Sequence, residues 1–255
     1  LTEASINIAD DTDLMDMMVK AGFDSVFIGI ESPDEVSLAE CRKTHNTHRD
    51  LLTDVKRIHR SGLQVMGGFI VGFDNDTPSI FQRQIDFIQK SGIVTAMVGM
   101  LQAPPGTRLF ERLRQEHRVA DTFSGDNVDG TTNIIPRMGI DRLSAGYRSI
   151  MKNLYSPKNY YRRIRTLLKE LKAPKVTQPL SLQRFLSFFR AAFRIGFLGK
   201  ERLQYWQLML WTLIRKRSLM PVAITLSIYG YHYRKICELY ILNTPIEKSD
   251  LPISF

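Results

Sequence analysis

Cysteine is almost missing from these 255 residues: only Cys41 and Cys237 occur, far apart in the chain. That excludes a disulfide framework and a cysteine-rich metal site, and it points to a reducing, cytoplasmic compartment. Long apolar runs are missing too. The stretches WQLMLWTLI (206–214) and LMPVAITLSIYGY (219–231) are each too short to span a bilayer, and Arg215-Lys216-Arg217-Ser218 separates them. No signal segment opens the chain. It begins LTEASINIAD, without an initiator methionine and almost directly in an expected strand, as though it were the interior of a longer protein. Acidic residues are scarce in one half only. Residues 136–255 hold 6 Asp and Glu against 22 Lys and Arg, a net +16, whereas residues 1–135 hold 20 against 13, a net −7. Two regions with different partners are implied.

What is present is an ordinary globular composition, 44% hydrophobic and 24% charged. The first half repeats one signal three times: Lys20-Ala21-Gly22-Phe23, Arg60-Ser61-Gly62-Leu63 and Lys90-Ser91-Gly92-Ile93. A cation suits the negative end of a helix, and glycine takes the left-handed conformation that ends it. Each unit therefore reads as a helix end feeding a strand. The upstream residues agree, with Leu14, Met17, Met18 and Ala21 at helical spacing, then Leu51, Leu52, Val55 and Ile58, then Phe81, Ile85 and Ile88. Thr77 and Pro78 supply an N-cap and a first-turn proline for the third helix. The expected strands are 3–9, 25–30, 65–72 and 94–101, apolar enough to be buried on both faces. Alternation of this kind means parallel crossovers, in an α/β sheet or part of a barrel.

In such sheets ligands sit at the carboxyl ends of the strands. Standing there are Asp10 and Asp11, Glu31-Ser32-Pro33, Gly72 through Thr77, and Gln102 through Thr107. For Asp10, Asp11 and Thr77, helix capping is an equal alternative to ligand contact. Glycines around the third strand, GGFIVGFDNDTP (67–78), suggest something flat lying against its backbone. Cys41, His45 and His48 have a spacing that suits a metal. Arg42 and Lys43 beside them repel a cation, so a solvated loop is the first expectation and a ligand cluster the second.

FIGIES (27–32), GGFIVGFDNDT (67–77) and LQAPPGTRLF (101–110), in order on successive strands, resemble radical S-adenosylmethionine (SAM) enzymes. The closer resemblance is to the subgroup with a cobalamin-binding domain ahead of the barrel and an uncharacterised helical domain behind it, which includes the hopanoid C-methylases. YSPKNYYRRIRTLL (155–168) and ERLQYWQLMLWTLIRK (201–216) resemble that trailing domain. The resemblance implies that Glu31 and Ser32 contact the ribose and methionyl part of SAM. It implies that Gly68, Ile70, Gly72 and Asp76 pack against adenine, and that Pro105, Gly106 and Thr107 lie beside the adenine edge. Glu3 and Ser5 are further candidates facing the same cavity. It also implies a 4Fe–4S cluster and a cobalamin, whose ligands this chain does not carry. Thiolates hold such clusters, and no CxxxCxxC loop occurs here, so the chain is expected to be a C-terminal piece that does not catalyse alone.

The expected organisation is half of a TIM-like parallel barrel of radical SAM type (1–120), a linker (121–136), a basic, aromatic-rich helical domain (137–243) and a tail (244–255). Aromatics crowd among cations in that domain: Tyr147, Tyr155, Tyr160 and Tyr161; Phe185, Phe188, Phe189, Phe193 and Phe197, flanked by Arg184, Arg190 and Arg194; then Tyr205, Trp206 and Trp211. Three readings stay open, in this order: a helical core with a solvated basic face, an anionic membrane surface as partner, and nucleic acid. Attachment would then be peripheral, at the inner face of the membrane. The function implied for the intact protein is C-methyl transfer to a large, apolar or lipid-like substrate molecule. The alternatives are a radical cyclisation or rearrangement, or a non-catalytic peripheral membrane protein.

Overall fold

The computed structural model describes residues 1–120, 124–125, 129–173, 189–190 and 192–242. Arg184, Phe185, Phe188 and the tail from 244 lie outside these residues, as does part of the expected linker.

Four parallel strands stand side by side in chain order: β1 (Thr2–Glu3), β2 (Ser25–Glu31), β3 (Gln64–Val71) and β4 (Ala96–Met100). The first crossover holds α1 (Thr12–Lys20), the second α2 (Glu35–Glu40) and α3 (Leu51–Ser61), the third α4 (Ser79–Ser91); α5 (Arg108–Gln115) follows β4. Gly22, Gly62 and Gly92 end their helices at φ of 94°, 115° and 80°, the left-handed stops read from the repeated signal. Asp11 caps α1 by accepting from Leu14 N at 2.8 Å, whereas Asp10 pairs with Arg49 instead.

Three expectations need correction. The first strand is not 3–9: only Thr2 and Glu3 pair, and Ile6–Asp10 winds into a 3-10 turn that buries Ile6, Ile8 and Ala9. An apolar run buries its side chains equally well in either form, so its composition does not separate them. The helix after β3 begins at Ser79, and Thr77 makes no side-chain cap; its hydroxyl meets that of Ser79 at 2.9 Å. Finally, β2 and β3 are not buried on both faces. Their side chains alternate, with Val26, Ile28, Ile30, Val65, Phe69 and Val71 buried beneath the helices and the intervening positions half-buried. The sheet has one helix-covered face and one open face.

Beyond the sheet, α6 (Ile140–Leu154) packs on α4 and β4, and α7 (Pro157–Glu170) on α4. Helices α8 (Arg202–Arg215) and α9 (Met220–Ile236) complete the described helical region, followed by a π turn, Cys237–Leu242. One apolar core runs through sheet and helices alike, from Ile6 to Ile241. Tyrosines fasten it. Tyr155 donates to Ala96 O at 2.8 Å, and Tyr160 to Leu226 O at 2.9 Å. Tyr147, Tyr161 and Tyr205 are buried as well, so these tyrosines are core, while Phe193, Phe197 and Trp206 are exposed. A buried ion pair, Arg234 with Glu201 at 2.9 Å, ties α9 to the start of α8.

Candidate functional site

The open face of the sheet is floored with glycine. Register places Glu3 beside Phe27 and Phe27 beside Met66; Gly29 beside Gly68 and Gly68 beside Met97; and Ile70 beside Gly99. The side chains of these rows point away from the helices. Gly29 and Gly68 form the middle of the floor, with Phe27, Met66, Ile70 and the exposed Met97 as an apolar surround. A Cβ at Gly68 would stand 3.0 Å from the tip of the Phe27 ring. Here glycine allows a flat group to approach the backbone closely.

At the head of this floor, Glu31 has φ of 63°, a conformation that a non-glycine residue adopts at a cost of about 1–3 kcal/mol. The bulge between Gly29 and Glu31 turns its carboxylate back over Gly29, where it pairs with Lys43 Nζ at 3.0 Å. Asn46 holds the bulge by donating to Gly29 O and Ile30 O at 3.0 and 3.1 Å. A strained, largely buried carboxylate poised over a glycine floor can accept hydrogen bonds from a diol.

The rim is built of acids with assigned partners. Asp76 is buried and closes the 72–76 turn, accepting from Gly72 N at 2.8 Å, Phe73 N at 3.1 Å and Ser37 Oγ at 2.8 Å. Burial pushes its carboxyl above the ordinary value, opposed by those three hydrogen bonds. Asp74 is also pushed up by burial, but Arg118 and Arg112 hydrogen-bond to it and hold it below the usual carboxylate range. Asn133 reaches back to β4's exit, donating to Ala103 O and accepting from Ala103 N, both at 2.8 Å. With Phe73, Leu101, Ala103, Leu113 and Ile134 it covers the carboxyl end of the sheet above Ile70.

Asp76→Ala leaves the amides of Gly72 and Phe73 unpaired and is expected to cost about 2 kcal/mol. A carboxyl with a raised pKa stabilises the fold most when protonated, and that contribution is lost as pH rises through the raised value. The deficit of the alanine variant should therefore widen toward acid pH, which urea unfolding at two pH values would reveal. A deficit that does not change with pH would mean that folding leaves the Asp76 carboxyl at its ordinary pKa.

Of the residues expected from sequence, Glu3, Gly68 and Ile70 share the open face, and Glu31 reaches it from the bulge. Ser5 is exposed just beyond β1. The others turn inward or hold the rim. Ser32 is fully buried and accepts from Asp34 N at 3.2 Å. Gly72, at φ 106°, faces Leu143 of α6, against which a Cβ would sit at 2.9 Å. Pro105, Gly106 and Thr107 form the exposed turn before α5; Thr107 caps that helix by accepting from Phe110 N at 3.2 Å. Phe27, Gly29, Met66, Met97, Gly99 and Lys43 were missed. The period-two alternation in FIGI and in MVGM, with glycine at one parity, carried that signal.

The loop with Cys41, His45 and His48 spreads its side chains. Cys41 donates to Leu38 O at 3.4 Å and packs against the second apolar cluster, while His45 and His48 are exposed. Among the described residues no group of three or more His, Cys, Asp or Glu could hold a metal.

The family model of a domain of unknown function, DUF4070, matches residues 107–244. The chain is 35% identical over 243 residues to an uncharacterized methyltransferase, sll1242, of Synechocystis, covering 93% of this chain and 45% of that protein. It is 31% identical over 222 residues to the hopanoid C-2 methylase of Rhodopseudomonas palustris, 84% of this chain and 41% of that one. Bacteriochlorophyllide d C-12(1)-methyltransferase of Chlorobaculum tepidum is 25% identical over 153 residues, 59% and 33% respectively. The chain spans less than half the length of these relatives.

Proposed function

The chain belongs to the DUF4070 family, and from that premise we propose that it is the carboxy-terminal part of a radical SAM methyltransferase whose open sheet face receives the adenosine of SAM. The observation that carries this reading is the glycine floor, Gly29 beside Gly68, with a carboxylate bent over it. A planar base needs close backbone approach and apolar walls, which Gly68, Ile70, Met66 and Met97 offer. A ribose diol needs an acceptor, which Glu31 offers once Lys43 moves aside. SAM bound there would supply the methyl group or the radical that the reaction consumes.

The residues of this chain thus hold and orient, and the rim formed by Asn133 and α5 excludes water from the strand ends. Closure of the four strands into half a TIM-like barrel fits a sheet that keeps one face free. The 4Fe–4S cluster does not fit the thiols present: Cys41 donates to a backbone carbonyl, and Cys237 is buried in the π turn far along the chain. Relatives named for hopanoid and bacteriochlorophyllide methylation support a large, apolar, lipid-like substrate and transfer to carbon.

Equilibrium dialysis with labelled SAM tests the floor. Binding to the 255-residue chain is expected, and Gly68→Leu, which fills the cradle but need only displace the Phe27 ring tip, should weaken it by at least about tenfold. Circular dichroism should stay unchanged. Absent binding, or equal binding by the variant, would overturn the assignment.

A further inference from the structure

Helix α8 is apolar on two opposite sides. Tyr205, Leu208, Met209 and Thr212 face the core and are buried. Leu203, Trp206, Leu210, Leu213 and Ile214 fall on the outer side at helical spacing and are 42–69% exposed. A helix that is apolar all round is normally covered all round. The outer stripe continues into the segment before it. The Phe197 ring meets Trp206 at 5.9 Å, Phe193 meets Phe197 at 6.3 Å, and both phenylalanines are at least 60% exposed.

The charge along this segment is almost all cationic, although Lys200 lies 3.8 Å from the Glu238 carboxylate. Between 189 and 217 the sequence carries seven Lys and Arg and one acid, Glu201. That acid is 2% exposed and neutralised by Arg234. Arg190, Arg194, Lys200, Arg202, Arg215 and Arg217 are exposed. Beside the stripe, between α7 and α8, lies a cavity of about 320 Å³ lined by Lys158, Arg162, Arg165 and Tyr161, with Gln204 and Gln207 from α8. Lys158, Arg162 and Arg165 give it a cationic lining, which suits an anionic group.

We propose that this face is a docking surface for an anionic lipid bilayer, with the aromatic and leucine stripe entering the interface and the flanking cations meeting lipid phosphates. Apolar residues on one side of a helix and a cationic border are what binding in the interface plane requires. No helix among the described residues is long and apolar enough to cross a membrane, so the helix lies on the surface. A second copy of the chain is a poorer occupant, because self-pairing would set this border of cations against itself. The inference rests on α8 and its surroundings and stands whether or not the sheet binds SAM.

Vesicle flotation tests it, using phosphatidylcholine alone and phosphatidylcholine with about a third phosphatidylglycerol. Flotation with the anionic vesicles, together with a blue shift of Trp206 emission, is expected. Leu210→Asp with Leu213→Asp, at positions more than half exposed, should weaken binding by about tenfold or more. Arg215→Glu with Arg217→Glu should weaken it by about fivefold per cation. Met17→Asp, on the exposed side of α1, changes net charge equally to one leucine substitution and should have little effect. Flotation unaffected by the leucine pair would reduce the effect to net charge and overturn the proposal. So would failure to float, and a concentration-dependent dimer abolished by the leucine pair would assign the face to a second copy.

Discussion

Arg163→Ala is expected to cost about 3–5 kcal/mol, lowering the thermal midpoint by roughly 6–20 °C. Arg163 is fully buried, and its guanidinium donates to Leu154 O at 3.1 Å and Val94 O at 3.3 Å. It lies 5.2 Å from the centre of the Tyr160 ring. No carboxylate partner is found for it among the described residues, and burial pulls its pKa below the ordinary value. The two carbonyls are what compensate the charge. Leu154 ends α6, so its carbonyl lies at the negative end of that helix. Val94 leads into β4. Truncation would open a cavity and leave both carbonyls without a donor, separating α7 from the sheet. Arg163→Met keeps the aliphatic stem and should recover part of the loss. Thermal melts of the two variants separate cavity from polar effects: equal midpoints for methionine and wild type would mean that the carbonyl contacts contribute nothing.

The second large effect concerns acid. His59, on the buried side of α3, is fully buried, and neither ring nitrogen has a hydrogen-bond partner among the described residues. Burial pulls its pKa from 6.5 to about 3. A base whose pKa is lowered by folding stabilises the native state fully above the ordinary value. Below it, the unfolded chain takes up a proton that the folded chain refuses. Stability should therefore fall between pH 6.5 and pH 3, by up to about 4–5 kcal/mol from this residue. His59→Leu, similar in bulk, should remove that part of the slope and match or exceed wild-type stability at pH 7, because it also removes an unpaired buried N–H. Urea midpoints across that range provide the comparison. A variant with the same acid slope as wild type would show that His59 is hydrated or partnered in solution.

The helix stops were the most legible part of the sequence, because the cation–small–glycine units encode a left-handed residue that few other side chains tolerate. Gly22, Gly62 and Gly92 adopt it. Parallel order followed from the alternation of helix and strand. The open face was not legible as such: FIGI and MVGM look continuously apolar until one asks which parity holds the glycines, and Phe27 and Met66 give no sign that helices leave them half-covered. The turn residues misled for a different reason. Asp76 and Thr107 are polar and sit at strand exits, yet their oxygens are taken by nearby backbone amides, and local hydrogen bonding of that kind competes with any ligand. Glu31 was legible as a residue type at a strand end; its backward bend depends on a bulge held by Asn46, a contact across sixteen residues that no local pattern states.

The order β1-β2-β3-β4 along the sheet has a consequence for synthesis. Each strand pairs with the one made just before it, and no strand waits for a later one to be inserted between them. As the chain leaves the ribosome, every βα unit meets an already formed edge, so the sheet can grow vectorially with short loop closures. The long-range fasteners come last: Arg163 returns to Val94 and Tyr155 to Ala96 only after α6 and α7 have emerged. A ribosome paused before residue 140 would carry a sheet whose β4 still lacks the helix that covers it. Nascent chains arrested on either side of α7 should differ sharply in protease resistance.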